Sequence, residues 1–171
     1  MSDLSDLMSR IRGKQDLERA LDFIGEDSSL IDELSSLVFI DDRKISMRAA
    51  WTLRYVAESF PDLVEHYLEH LVERLESISS SCQRSLLNVL DCYAIPDELE
   101  DDVYHSCFNI LLNKSSAIAN QAICMSIASK ICFKYPELSN ELILVIEDLL
   151  INGSAGIKSR GNKIISQLRK T

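Results

Sequence analysis

Of the three histidines in this 171-residue chain, two stand close together, in the stretch Glu-His-Tyr-Leu-Glu-His at residues 65–70. His66, Glu69 and His70 spell H-x-x-E-H. On a helix that spacing sets two imidazoles one turn apart beside a carboxylate that can activate water, the chemistry of a zinc hydrolase. The surroundings argue otherwise. Measured from the apolar stripe centred on Leu71, the two histidines lie roughly 140° and 100° away. They share that polar arc with Asp62, Glu65, Glu69 and Glu73. A hydrolytic zinc needs a sheltered cleft and a third ligand, and His105 belongs to a different helix. The sequence therefore expects a solvated helix face at 66–70, with no metal and no cofactor.

A second group is built for contact instead of catalysis. Trp51 and Tyr55, four residues apart, fall side by side opposite the Leu53 stripe, near Met47 and flanked by Arg48 and Arg54. Either a neighbouring helix covers this side, or it forms an open groove. Trp, Tyr and Arg are the residue types that dominate binding hot spots, and an amphipathic helix of a partner would be an ordinary occupant. Among signatures of catalysis, the chain has no G-x-G-x-x-G, no G-x-x-x-x-G-K-[ST] and no G-x-S-x-G.

Composition bounds what can carry these residues. The chain is 46% hydrophobic and 26% charged with 5 Gly and 3 Pro, proportions of one soluble, mostly helical domain over 1–171 with a sizeable core. The first residues lack an apolar signal segment, and the longest aliphatic run, Leu142 to Ile146, is far short of a membrane span. The five cysteines are odd in number and mostly set among apolar residues, so they read as buried thiols of a cytoplasmic protein. The net charge of −9 divides into −14 over residues 1–152 and +5 over 153–171. An acidic body repels phosphate backbones and makes nucleic acid an improbable partner. The basic tail suits the C-terminal end of a last helix. DELEDD at 97–102 likewise suits a helix start, or offers a patch to a basic partner.

The three prolines share one context: ESFPDL around Pro61, YAIPDEL around Pro96 and FKYPEL around Pro136. Proline ends one helix and suits the first turn of the next, where the following acid meets the positive dipole end. The spacing of about 35 to 40 residues is that of helical-hairpin repeats. Counting back from Pro61 reaches the capping sequence Glu26-Asp27-Ser28-Ser29, a fourth corner without proline. Between corners the apolar period is helical. Helices are expected near 14–25, 28–39, 43–59, 62–78, 82–94, 98–113, 117–135, 137–151 and 155–169. A short amphipathic turn through Leu4, Leu7, Met8 and Ile11 makes residues 1–13 an N-terminal arm or short helix, and 155–171 a basic C-terminal capping helix.

The segment DDRKISMRAAWTLRYVAESFPDL resembles the HEAT motif, with Asp41 or Asp42, Arg48, Ala49, Ala50, Leu53 and Pro61 at the matching places. Later repeats match less well, since Gln83 and Ile123 stand near the place of Arg48. The chain is similar to the small stand-alone HEAT-like, armadillo-like proteins of bacteria. That resemblance implies an all-α fold, a superhelical solenoid of about four to five antiparallel helix pairs. It implies no particular chemistry, because fold does not fix function. The residues of the helical segment 43–59 make the leading reading a non-catalytic scaffold that binds a protein partner on its concave inner helices through Met47, Arg48, Trp51, Arg54 and Tyr55. Self-association of solenoid ends stays open. Two enzyme readings stand beside it: a HEAT-like DNA base-lesion glycosylase using Trp51, Tyr55 and Glu58, which the acidic charge disfavours, and the zinc hydrolase of 66–70.

Overall fold

A computed structural model describes residues 2–170. Among these residues every regular element is helical. The chain divides into two compact units, residues 1–93 and 94–171. No described helix is long and apolar enough to cross a membrane.

The first unit holds α1 (Asp3–Arg10), α2 (Lys14–Ile24), α3 (Ser28–Leu37), α4 (Arg43–Ser59), α5 (Pro61–Val64), α6 (Leu68–Glu73) and α7 (Ser80–Asp91). Local chemistry sets the boundaries. Gly25, at φ 49°, closes α2 in a backbone region that side chains avoid, and its N–H reaches Leu21 O at 2.8 Å. Asp27 then caps α3, accepting from Ser29 N at 2.9 Å, and Asp42 caps α4, accepting from Lys44 N at 2.9 Å and Ile45 N at 3.0 Å. The fourth, proline-free corner and the aspartate of the HEAT-like turn are thus both N-caps, the second being Asp42 and not Asp41. Helix α4 is the hub of this unit, packing against α1, α2, α3, α5 and α7. Its Ala49, Leu53 and Val56 are buried with Leu4, Met8 and Leu86, and each buried Leu, Val or Met side chain contributes about 2 kcal/mol.

One expected helix is broken. Residues 62–78 run as α5, a 3₁₀ turn over Glu65–Tyr67 and α6, which stops at Glu73. The 74–77 stretch tightens to i→i−3 bonds (Leu75 N to Val72 O, 3.0 Å), which keeps Leu75 fully buried. Serines explain the stop: Ser77 Oγ donates to Arg74 O at 3.0 Å, and Ser79 and Ser81 share a hydrogen bond. Hydroxyls so placed compete with the helical ladder.

The second unit holds α8 (Glu100–Leu112), α9 (Ile118–Lys134), α10 (Ser139–Asn152) and α11 (Ala155–Leu168), with 3₁₀ turns at Asp97–Leu99 and Pro136–Leu138 leading into α8 and α10. Helix α9 packs against the other three. Pro61 and Pro136 occupy first-turn positions as expected, whereas Pro96 stands just before its turn, in extended conformation at φ −56°, ψ 141°. Helix α7 has already ended at Asp91, short of the expected 94. In α11, Ile157, Ile164, Ile165 and Leu168 are buried and Lys158, Arg160 and Lys163 are exposed.

Candidate functional site

The H-x-x-E-H letters fall across two elements. His66 lies in the 3₁₀ turn and packs against Tyr67 with ring centroids 4.0 Å apart. His70 lies in α6, edge-on to Phe39 at 4.9 Å, with Nδ1 3.7 Å from Glu73. Both are exposed, and among the described residues no group of three His, Cys, Asp or Glu could hold a metal ion. Tyr67, half-buried, donates its hydroxyl to Asp32 on α3. Burial, with that carboxylate adding to it, pushes the phenol up to about 12.

On α4 the residues expected from sequence to make contacts separate into two groups. Met47 is 39% exposed, and Trp51 and Tyr55 are half-buried with their rings edge to face at 6.2 Å. Arg54 lies over the Tyr55 ring, 5.5 Å from its centroid, and its Nε donates to Glu58 Oε1 at 2.9 Å. These residues form one strip, with the guanidinium and the ring stabilising each other. Arg48 turns the other way. Its Nη1 donates to Ser9 O at 2.6 Å and Met8 O at 3.4 Å, carbonyls in the last turn of α1. A cation there satisfies orphan acceptors and meets the negative end of the dipole. The strip open on this helix is therefore Met47, Trp51, Arg54 and Tyr55.

The acidic run at 97–102 is engaged within its own unit. Lys134 Nζ reaches Asp97 Oδ1 at 2.6 Å and Glu100 Oε2 at 2.9 Å, and Tyr135 donates to the same Glu100 oxygen at 2.8 Å. The hydrogen bonds to Asp97 and Glu100 raise the Lys134 ammonium above its ordinary range, and the Glu100 carboxylate raises the Tyr135 phenol. Glu100 itself is buried. Sequence reasoning placed this run at a helix start and missed its partners, which arrive from a corner 34 to 37 residues away.

Two grooves lie outside these residues. One, of about 420 Å³, runs along residues 38–43 and 77–79 of the first unit beside Arg74, which stacks over Phe39 at 5.4 Å. The other, of about 450 Å³, lies between α9 and α11 and is lined by Ser126, Ser129, Lys130, Ser159, Arg160 and Lys163 among others. Sequence reasoning treated the α11 cations as a closing surface and did not pair them with α9. The signal was present: aligning Pro136 with Pro61 by residue count puts Ser126 and Lys130 near the register of Trp51 and Tyr55.

No curated protein and no solved structure matches the chain. The family model for the HEAT repeat domain matches residues 4–168, nearly the whole length. Successive helix pairs punctuated by aspartate caps and proline corners, with an arginine of α4 fixed on a preceding helix, are the structural counterpart of that match. The chain belongs to the HEAT repeat family.

Proposed function

We propose that this chain is a non-catalytic interaction module of the cytoplasm that binds a segment of a partner protein along α4. The observation that carries the reading is the state of Trp51. It is only half-buried, is set against Tyr55, and shares its helix with the exposed Met47 and with Arg54 over the Tyr55 ring. A large aromatic held in place yet partly open to solvent loses little conformational freedom when a partner covers it. Such residues supply most of the energy of protein interfaces. HEAT repeats are helical arrays often used for protein interaction, and the arrangement of α4 fits that use.

The test is affinity capture with the wild-type chain and with Trp51→Ala from lysate of the source cells, followed by titration of the captured protein. Removing a central aromatic anchor is expected to weaken binding by about 2 kcal/mol or more, at least about thirtyfold. The melting temperature should change little, since Trp51 contributes only part of its surface to the core. A partner retained equally by both chains refutes this assignment of the strip.

A further inference from the structure

Charge in this chain is sorted by helix. The first members of the successive pairs, residues 28–37, 61–73, 97–112 and 136–152, hold fifteen Asp and Glu and no Lys or Arg. The second members, α4, α7, α9 and α11, hold ten Lys and Arg against two acids, Glu58 and Asp91. In the second unit the sorting converges on one place. Helices α9 and α11 pack together, and the groove between them, about 450 Å³, is lined by Lys130, Arg160 and Lys163 with the hydroxyls of Ser126, Ser129 and Ser159, and by no carboxylate among the described residues. All three cations are exposed. Arg160 is held in the groove, its Nη1 donating to Ser126 Oγ across the helix pair at 2.5 Å. Its planar fork has five N–H donors, a shape that matches a carboxylate. One helical turn beyond Lys130, on the same helix, Phe133 is 44% exposed.

We propose that the α9–α11 groove is a docking site for an acidic amphipathic helix of a partner protein. Carboxylates one turn apart on that helix meet Arg160 and Lys163, and its apolar edge covers Phe133. Charge complementarity selects this occupant. The protein as a whole is at −9, so an incoming anion must be short enough to meet the groove without running along the acidic members α8 and α10. A nucleic acid carries its charge along its whole length, and a protein that grips it through about six to ten phosphates needs a matching row of cations, whereas the α11 side of this groove brings only Arg160 and Lys163. An exposed phenylalanine one turn along α9 from the groove-lining Ser129 and Lys130 suits an amphipathic helix, which brings acids and apolar residues together at i, i+3 and i+4. The site does not depend on the Trp51 strip.

The experiment uses the full chain and a fluorescein-labelled helical peptide of about 18 Ala, Leu and Glu residues with glutamates at i,i+4, read by anisotropy. Controls are the same peptide with Gln for Glu and an oligothymidylate of equal length. The Glu peptide is expected to bind saturably, the Gln peptide about tenfold or more weaker, and binding should fall steeply between about 50 and 200 mM salt. Arg160→Glu with Lys163→Glu should abolish binding while Trp51→Ala leaves it unchanged. Should the charge-reversed chain melt early, Arg160→Gln with Lys163→Gln takes its place, with a loss of about tenfold expected. The proposal is overturned by equal binding of the Gln peptide, by tighter binding of the oligonucleotide, or by charge variants that bind as well as wild type. It is also overturned if sedimentation shows a dimer that the Arg160 and Lys163 changes dissociate, because the occupant is then a second copy of this chain.

Discussion

Arg48 stands one residue from Met47 and three from Trp51, and by spacing alone it belongs with them. Its guanidinium instead leaves the strip and donates to the carbonyls of Met8 and Ser9 at the end of α1. The reach of an arginine, a flexible stem ending in a rigid donor fork, makes this long connection possible. Truncation would strand both carbonyls at a half-buried helix end. Hydrogen bonds to a charged group are worth about 1.5–3 kcal/mol where water is excluded. Because Arg48 is partly exposed, Arg48→Ala is expected to cost about 1–2 kcal/mol in urea unfolding. Lysine should restore only part of that, since one ammonium cannot reproduce the fork. A variant as stable as wild type would show that α1 needs no tie to α4, and Arg48 would then return to the contact strip.

At the scale of elements, close approach decides what can be substituted. Gly161 is buried where α11 crosses α10, and a Cβ there would stand 2.8 Å from both Ile146 Cγ2 and Leu150 Cδ2. Gly161→Leu is therefore expected to lower stability by about 2–3 kcal/mol through overpacking, measured as a drop in the urea midpoint at unchanged slope. Gly161→Ala should cost less than Leu, because it adds one carbon, Leu150 Cδ2 can turn aside and alanine favours helix by about 1 kcal/mol, while the methyl of the stiff, β-branched Ile146 must shift. Equal stability for Leu and wild type would mean that the two helices separate freely. Most helices were legible from the apolar period, because α4, α9 and α11 keep their buried stripes and sit between strong boundary signals: Asp42, Pro136, Ser154. The 62–78 segment was not, because its stripe continues through Leu75 while the backbone obeys Ser77 and its neighbours. Periodicity reports burial, and burial survives a change from α to 3₁₀ geometry. The candidate contact residues were legible as types, but the direction Arg48 takes depends on where α1 ends in space. Lys130, Arg160 and Lys163 become one groove only when α9 lies beside α11; the repeat register marks the α9 side of it, but no local pattern encodes the pairing with α11.

Across the whole molecule, ties recur at about one repeat length. Tyr67 donates to Asp32, Tyr93 to Pro61 O at 2.8 Å, Tyr104 to Leu138 O at 3.5 Å and Tyr135 to Glu100 at 2.8 Å, with separations of 35, 32, 34 and 35 residues. Each hydroxyl joins one helix pair to a neighbouring one and must keep its proton to donate. The thiol of Cys132, fully buried beside Tyr104, belongs to the same set. Burial pushes Cys132 from 9.0 up to about 11, and burial with nearby negative charge pushes Tyr93 from 10.0 up to about 12, alongside Tyr67. The sign follows from the folded values lying above the unfolded ones. Below about pH 9 both states are protonated, and the stabilisation is whole. As pH rises beyond that, the unfolded chain releases protons that the folded chain retains, so unfolding gains free energy and stability falls. Cys132 alone accounts for about 2–3 kcal/mol once pH passes its folded value. Urea midpoints taken from about pH 7.5 to about 10.5 are thus expected to hold steady and then decline, the descent starting near pH 9. Cys132→Ala should remove the first part of that descent, leaving the tyrosine part that begins about one unit higher. A wild-type chain with a flat profile across that range, or an alanine variant that descends just as early, would contradict the view that protonated hydroxyl and thiol ties hold successive repeats together.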